Sequence, residues 1–270
     1  MYIPDLASMR TFRILSIGAR LTCLVATLFF LRSQEPCARA VEGVSKKYPE
    51  EYQKVMTDVV RAFLERDFKK ARAELDKADQ IIPDTPMALN TRGAMAIEEK
   101  RYSEGQMYCE EALRKDNTFF PARFNLAEIP FQKKNYAASR KIFQQMLAEE
   151  KKKDSIELLQ YRIFVTYLME KDDTNAQTEL DNMKFPSATG AYYYAHAAWE
   201  FAHDNRSEGL SWVRAGDWVF SLVKNVYFAD VMYDLGWLER PKKEPKPDAS
   251  DAPEGSQPAA IPTPVGGANK

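Results

Sequence analysis

Through the middle of the chain, apolar and small residues return in a fixed register between charged ones. The segment "RFNLAEIPFQKKNYAASRKIFQQML", from Arg123 to Leu147, shows the pattern: an apolar stretch, a polar break over 132–135, then apolar residues three and four apart. That spacing predicts two helices joined by a short turn. The aromatic Tyr136 lies 34 residues after Tyr102, which lies 34 after Phe68. Three residues beyond each aromatic come Ala71, Gly105 and Ser139; seven beyond come Leu75, Cys109 and Phe143; ten beyond come Ala78, Ala112 and Met146. In the preceding helices Ala127 repeats Gly93 at the same step. A constant step of this length predicts stacked helical pairs, none able to bury its apolar face alone.

The residue types fit that reading. Where two antiparallel helices cross closely, a small side chain lets the backbones approach, so Ala71, Gly105 and Ser139 mark the crossing in each second helix. The large residue four further on fills the space beside the crossing, and the aromatic three before it plugs the turn. In a fourth unit the small residue is Ala176, 37 after Ser139, with the extra residues assigned to the polar run at 149–154; in a fifth it is Gly209, 33 after Ala176. Leu180 and Val213 follow as large partners. Pro83 closes one unit, Asn117 replaces it in the next, and Pro130 falls inside a first helix, where a lost hydrogen bond predicts a bend. A final amphipathic helix within 225–238, with Val226, Ala229, Tyr233 and Trp237 near one face, is expected to cap the end of the array.

This register resembles the tetratricopeptide repeat family, with its motif clearest from Gln53 to about Glu150. The resemblance implies an all-α fold, a right-handed superhelical solenoid of about five antiparallel helical pairs with a C-terminal capping helix. It also implies a concave groove lined by the first helices that binds peptides or helices. Carried over in register, the groove positions are Met56, Val60 and Phe63, then Asn90, Ala94 and Ile97, then Phe124, Glu128 and Phe131. Tyr161, Val165 and Leu168 follow in the fourth unit and Tyr194, Ala198 and Phe201 in the fifth. The Lys, Asn and Arg clamp with which peptide-binding members grip a terminal carboxylate is absent, so the implied partner is an apolar or aromatic peptide or helix. An aromatic stripe at this spacing is equally the mark of inter-repeat core.

The two ends differ from this body. Arg10, Arg13 and Arg20 precede the apolar run at 21–31, and Ala38 and Ala40 follow it, the order of a secretory leader. Residues 1–40 are read as a signal peptide cut after Ala40, with Met9 as a candidate true start, and the exported chain as periplasmic or extracellular. The alternative is an uncleaved anchor, which would tie the scaffold to a membrane through this segment only. Residues 41–239 form the repeat domain, and 240–270, rich in Pro, Ala, Gly and charge, read as a disordered tail. Removing the leader takes the charge from −1 to −4, with 33 Lys and Arg against 37 Asp and Glu. A mildly acidic chain is not built to coat phosphate backbones, so nucleic acid is not an expected partner.

Candidate chemistry is sparse. His196, Glu200 and His203 share a helical face at a spacing that could hold zinc, which leaves open a metal-dependent envelope enzyme; a third strong ligand is not evident. Cys109, the one cysteine left after cleavage, sits at a large-partner position and reads as a small buried hydrophobe. Phosphate-binding Gly loops, Ser-His-Asp order and paired metal cysteines are absent from 41–270. The expectation is a non-enzymatic scaffold with a protein or peptide partner, no cofactor and no small-molecule substrate.

Overall fold

The structure is a computed structural model that describes residues 48–220 and 222–240. The expected leader, 1–40, and the tail from 241 lie outside the described residues. Eleven helices and no strand occur among the described residues. They are α1 (Glu50–Leu64), α2 (Phe68–Ile81), α3 (Pro86–Glu98), α4 (Tyr102–Lys115), α5 (Phe120–Gln132), α6 (Tyr136–Glu149), α7 (Lys153–Met169), α8 (Asp173–Asn182), α9 (Ala191–Ala202), α10 (Arg206–Val219) and α11 (Leu222–Asp234). Consecutive helices pair as the period predicts, α1 with α2 through α9 with α10. Between pairs, each second helix meets the following first helix, and first helices meet one another, α3 with α5 and α7 with α9. First helices thus lie side by side in these two places, and the Arg162–Glu128 ion pair ties α5 to α7.

The small residues stand where the sequence places them. Ala71, Gly105, Ser139, Ala176 and Gly209 are all buried at helix crossings. The second unit is the tightest. A Cβ on Gly105 would lie 2.6 Å from Ile97 Cγ1 and 3.1 Å from the Gly93 carbonyl, and one on Gly93 would lie 2.7 Å from Cys109 Sγ. In the third unit the same approach is bridged by a hydrogen bond, the Ser139 hydroxyl donating to the Ala127 carbonyl at 2.8 Å.

The turn inside each pair is built the same way five times. Arg66, Lys100, Lys134, Lys171 and Asp204 have φ of 56°, 61°, 61°, 59° and 60°, one left-handed residue per unit. At each turn the left-handed residue's N–H returns to the carbonyl three residues back, and the next N–H to the carbonyl five back, as in Lys134 to Phe131 and Asn135 to Pro130. This is the 6→1 and 5→2 closure that ends a helix with its last carbonyls satisfied. The residue after it opens the second helix, and where it is Asp67, Asn135 or Asp172 its side chain accepts the N–H three residues on. Pro130 sits in the last turn of α5, so it removes one rung without ending the helix, which runs on to Gln132.

The fourth and fifth units depart from this regularity. α7 has 17 residues against 13 in α3 and α5, so the extra residues of this unit lengthen its first helix. α8 is short, at 10 residues, and a loop over 183–190 leads to α9. Glu157 of α7 seats that loop, its carboxylate accepting from the Ala188 and Thr189 amides at 2.9 and 2.8 Å and from the Thr189 hydroxyl at 2.6 Å. Each of the first three pairs has an apolar cluster that runs into the first helix of the next unit, through Ala88 and Met95, Ala122 and Ile129, and Leu159 and Ile163. The last two share one cluster, which also takes in Phe131 of α5 and Phe228, Ala229, Val231 and Met232 of α11.

Two substitutions should move stability in opposite directions. Gly105→Ala should lower it by roughly 1–2 kcal/mol, because backbone lies against the new methyl and overpacking outweighs the gain in helix propensity. Lys134→Gly should raise it by about 0.5–1 kcal/mol by removing the Cβ penalty of the left-handed conformation. Urea unfolding of the two variants checks both; equal midpoints would show that neither crossing nor turn limits the fold.

Candidate functional site

The layer of first helices is the surface to which the family resemblance assigns binding, and the structure divides it into two parts. Over α1, α3 and α5, positions of the implied groove are half-buried: Val60 and Phe63, Asn90 and Ala94, Phe124 and Glu128. Leu64 beside them is 40% exposed. Asn125 donates from Nδ2 to Asn90 Oδ1 at 2.9 Å, which ties α5 to α3 across this face. Met56 and Ile97 are buried, the former in the first pair's core and the latter against Gly105. Phe124 packs on Phe120 and Phe143 with ring centroids 6.0 and 5.4 Å apart, so it serves the third pair's interior.

Over α7 and α9 the face is covered by the chain itself. Besides meeting the last pair through α9 and α10, α11 packs on α7. It caps the end of the array, as the amphipathic pattern leads one to expect, and it also lies along the first-helix layer, which that pattern does not reveal. The Tyr161 hydroxyl donates to the Phe228 carbonyl at 3.1 Å, and the two rings meet edge to face at 5.3 Å. Val165 and Tyr194 are buried in the same cluster, and Phe201 stacks on Trp237 at 6.0 Å. Further along, Gln132 of α5 donates to Asp234 Oδ2 at 2.8 Å, so α11 reaches toward the third unit.

A buried ion pair sits at the boundary between the two parts. Arg162 of α7, 3% exposed, pairs with Glu128 of α5, and its guanidinium lies 4.5 Å over the Phe131 ring, with Phe124 and Phe143 also within 6 Å. Phe131 is thus buried beneath this cation and edge-on to Tyr136. Such a pair is expensive to desolvate and needs its remaining polar atoms satisfied. Here Glu128 Oε1 and Arg162 Nε are buried without a hydrogen-bond partner. Burial pushes the Glu128 carboxyl above its ordinary range; Arg162 opposes the shift, and the nearby Asp234 and Asp230 of α11 reinforce it. Arg162 and Asn125 were absent from the sequence-derived set. The usable signal for Arg162 was a charge inside the apolar run "YRIFVTYLM" at 161–169.

The dispersed candidates do not converge. The His196 ring stacks on Trp212 at 4.5 Å and meets Tyr192 edge to face, while burial lowers its pKa. His203 donates from Nδ1 to the Trp199 carbonyl at 2.7 Å, faces Asp173 at 3.3 Å, and has its pKa raised chiefly by that carbonyl. Glu200 instead accepts from Asn205 at 2.8 Å. Three donors arranged to hold a metal do not occur among the described residues. Cys109 is fully buried, and loss of solvent pushes its thiol up to about 12, which removes the thiolate a nucleophile requires. No helix among the described residues is long and apolar enough to cross a membrane.

A family model for the tetratricopeptide repeat matches residues 96–163, from the end of α3 into α7. Curated proteins yielded no match. The same turn and the same small crossing residue continue on both sides of the matched segment, from Arg66 and Ala71 to Asp204 and Gly209. Residues 96–163 are thus similar to the tetratricopeptide repeat, a class of unit that generally mediates contact between proteins.

Proposed function

We propose that this protein is a non-enzymatic adaptor of the bacterial cell envelope that engages a protein partner along its first-helix layer. The observation that carries this reading is the division of that layer: α1, α3 and α5 leave Val60, Leu64, Asn90 and Ala94 accessible, whereas the corresponding face of α7 and α9 is closed by α11. A face with half-exposed apolar residues beside an asparagine pair suits an apolar or aromatic segment that also offers main-chain hydrogen bonds. Export is supported by the order of Arg10, Arg13, Arg20, the apolar run at 21–31 and the small residues before Val41.

Crosslinking and co-purification of the full chain from its native cell, beside a Val60→Glu and Leu64→Glu double variant, tests the surface. The parent should recover a specific protein that the variant recovers at least about tenfold less, the scale of losing one well-buried anchor. Equal recovery would move binding to another face. Export has its own readout. N-terminal sequencing of the protein from the envelope should begin at Val41, and an intact residue 1 or 9 would replace the soluble reading with a tethered one.

A further inference from the structure

Of the five second helices, α2, α4, α6 and α10 each run 14 residues, whereas α8 runs 10, about one turn less. The missing turn falls beside the start of α9. There the loop over 183–190 runs in its place and leaves a cleft of about 190 Å³ lined by Ile156, Met183, Pro186 and Tyr192. What this uncovers is aromatic. Tyr192 and Tyr193 of α9 lie 6.1 and 6.3 Å from Trp212 of α10, and Phe185 of the loop lies 5.5 and 6.4 Å from the two tyrosines. Phe220, at the end of α10, lies 6.2 Å from Tyr193. The rings meet steeply, at 87° between Tyr192 and Tyr193 and 81° between Phe185 and Tyr193, so the surface is ridged and not flat. Phe185 is 65% exposed and Trp218, next to Val219 and Phe220 in sequence, 90%. Tyr192 and His196 lie on the opposite side of α9 from Tyr194, Ala198 and Phe201, which separates this face from the first-helix layer.

The polar tips of these rings are unused. The hydroxyls of Tyr192 and Tyr193 and the indole N–H groups of Trp212 and Trp218 have no hydrogen-bond partner among the described residues. An indole can only donate. The face therefore offers apolar ring surface edged with donors, and its complement is a ligand with apolar rings and free carbonyls but few N–H groups. A proline-rich strand has that composition, because proline lacks the N–H and a polyproline II helix leaves its carbonyls without internal partners.

We infer that the aromatic face formed by α9, α10 and the 183–190 loop is a docking site for a proline-rich segment of a partner protein, held as an extended polyproline II strand. Proline rings fill the slots between Phe185, Tyr193 and Phe220 and those beside Trp212. The tyrosine hydroxyls and indole N–H groups donate to the strand's carbonyls. Such a strand is ordered before it binds, so a shallow aromatic surface suffices to hold it. The site works independently of the first-helix layer.

Fluorescence anisotropy of a fluorescein-labelled decaproline peptide titrated with the full chain tests this, beside a Gly-Ser peptide of equal length. Decaproline should bind saturably and the Gly-Ser peptide should not; decaproline that fails to saturate, or a Gly-Ser peptide that binds as well, overturns the inference. A Tyr193→Phe, Trp212→Phe double variant keeps both sites aromatic and removes two donors. It should unfold at the parent's midpoint and bind decaproline at least about tenfold more weakly. Trp218→Ala, at a side chain almost wholly in solvent, provides a second variant that leaves the fold intact, and it too should weaken binding. Unchanged affinity in both variants overturns the site. The Val60→Glu, Leu64→Glu variant should bind decaproline as the parent does, and a loss there would move binding to the first-helix layer and overturn this placement. Vesicles of phosphatidylglycerol test a lipid occupant of the same face: pelleting of the parent that Trp218→Ala abolishes, without decaproline binding, would make it a membrane contact and overturn the proline-rich partner.

Discussion

The structure depends on how closely two helices of a pair can approach. In the second unit, Gly93 and Gly105 face each other across a gap that a methyl would already fill. In the others Ala71, Ser139, Ala176 and Gly209 serve the same purpose. Close approach lets the large residue four positions later, Leu75, Cys109, Phe143 or Leu180, bury completely or almost so. Each pair thereby presents a matched surface to the next, and dense packing with few voids transmits this geometry along the array. The left-handed turn residue completes the constraint, since its paired hydrogen bonds set the point at which the second helix must start.

Much of this is legible in the amino-acid order because it is periodic. A side chain's size at a crossing is set by a distance of a few ångströms, and five crossings give five comparable readings. The turn was less visible. Its left-handed position is held by Arg66, Lys100, Lys134, Lys171 and Asp204, where glycine would announce itself, and here the flanking hydrogen bonds impose the conformation in spite of the side chain. The following Asp67, Asn135 and Asp172 were the readable half of the signal, as capping residues at the turns of three of the five units.

The placement of α11 was not legible, and the reason is physical. An amphipathic pattern states that a helix has a face to bury; it does not say which of two apolar surfaces receives it. The end of the last pair and the inner face of α7 and α9 both offer one. The choice is made by tertiary terms such as the Tyr161 hydroxyl meeting the Phe228 carbonyl and the Tyr194, Asp217 and Asn225 network, which joins α9, α10 and α11. For the same reason Tyr161, Val165, Tyr194 and Phe201 sit in core while Val60, Asn90 and Ala94 at equivalent positions stay partly open.

That asymmetry bears on what the protein can do. A partner for the covered half must compete with a helix attached to the site, so its apparent affinity is reduced by the fraction of time the site stands vacant. The interactions that hold α11 are of unequal quality. Phe228 and Met232 bury wholly apolar surface, yet at Asn225 a buried acceptor goes unsatisfied, and an unmade hydrogen bond in a buried place costs about 1–3 kcal/mol. By contrast, on the open half, Asn125 donates to Asn90 across two helices. The same layer is therefore closed over α7 and α9 by the apolar burial of Phe228 and Met232, while Val60, Leu64 and Ala94 of α1 and α3 stay accessible.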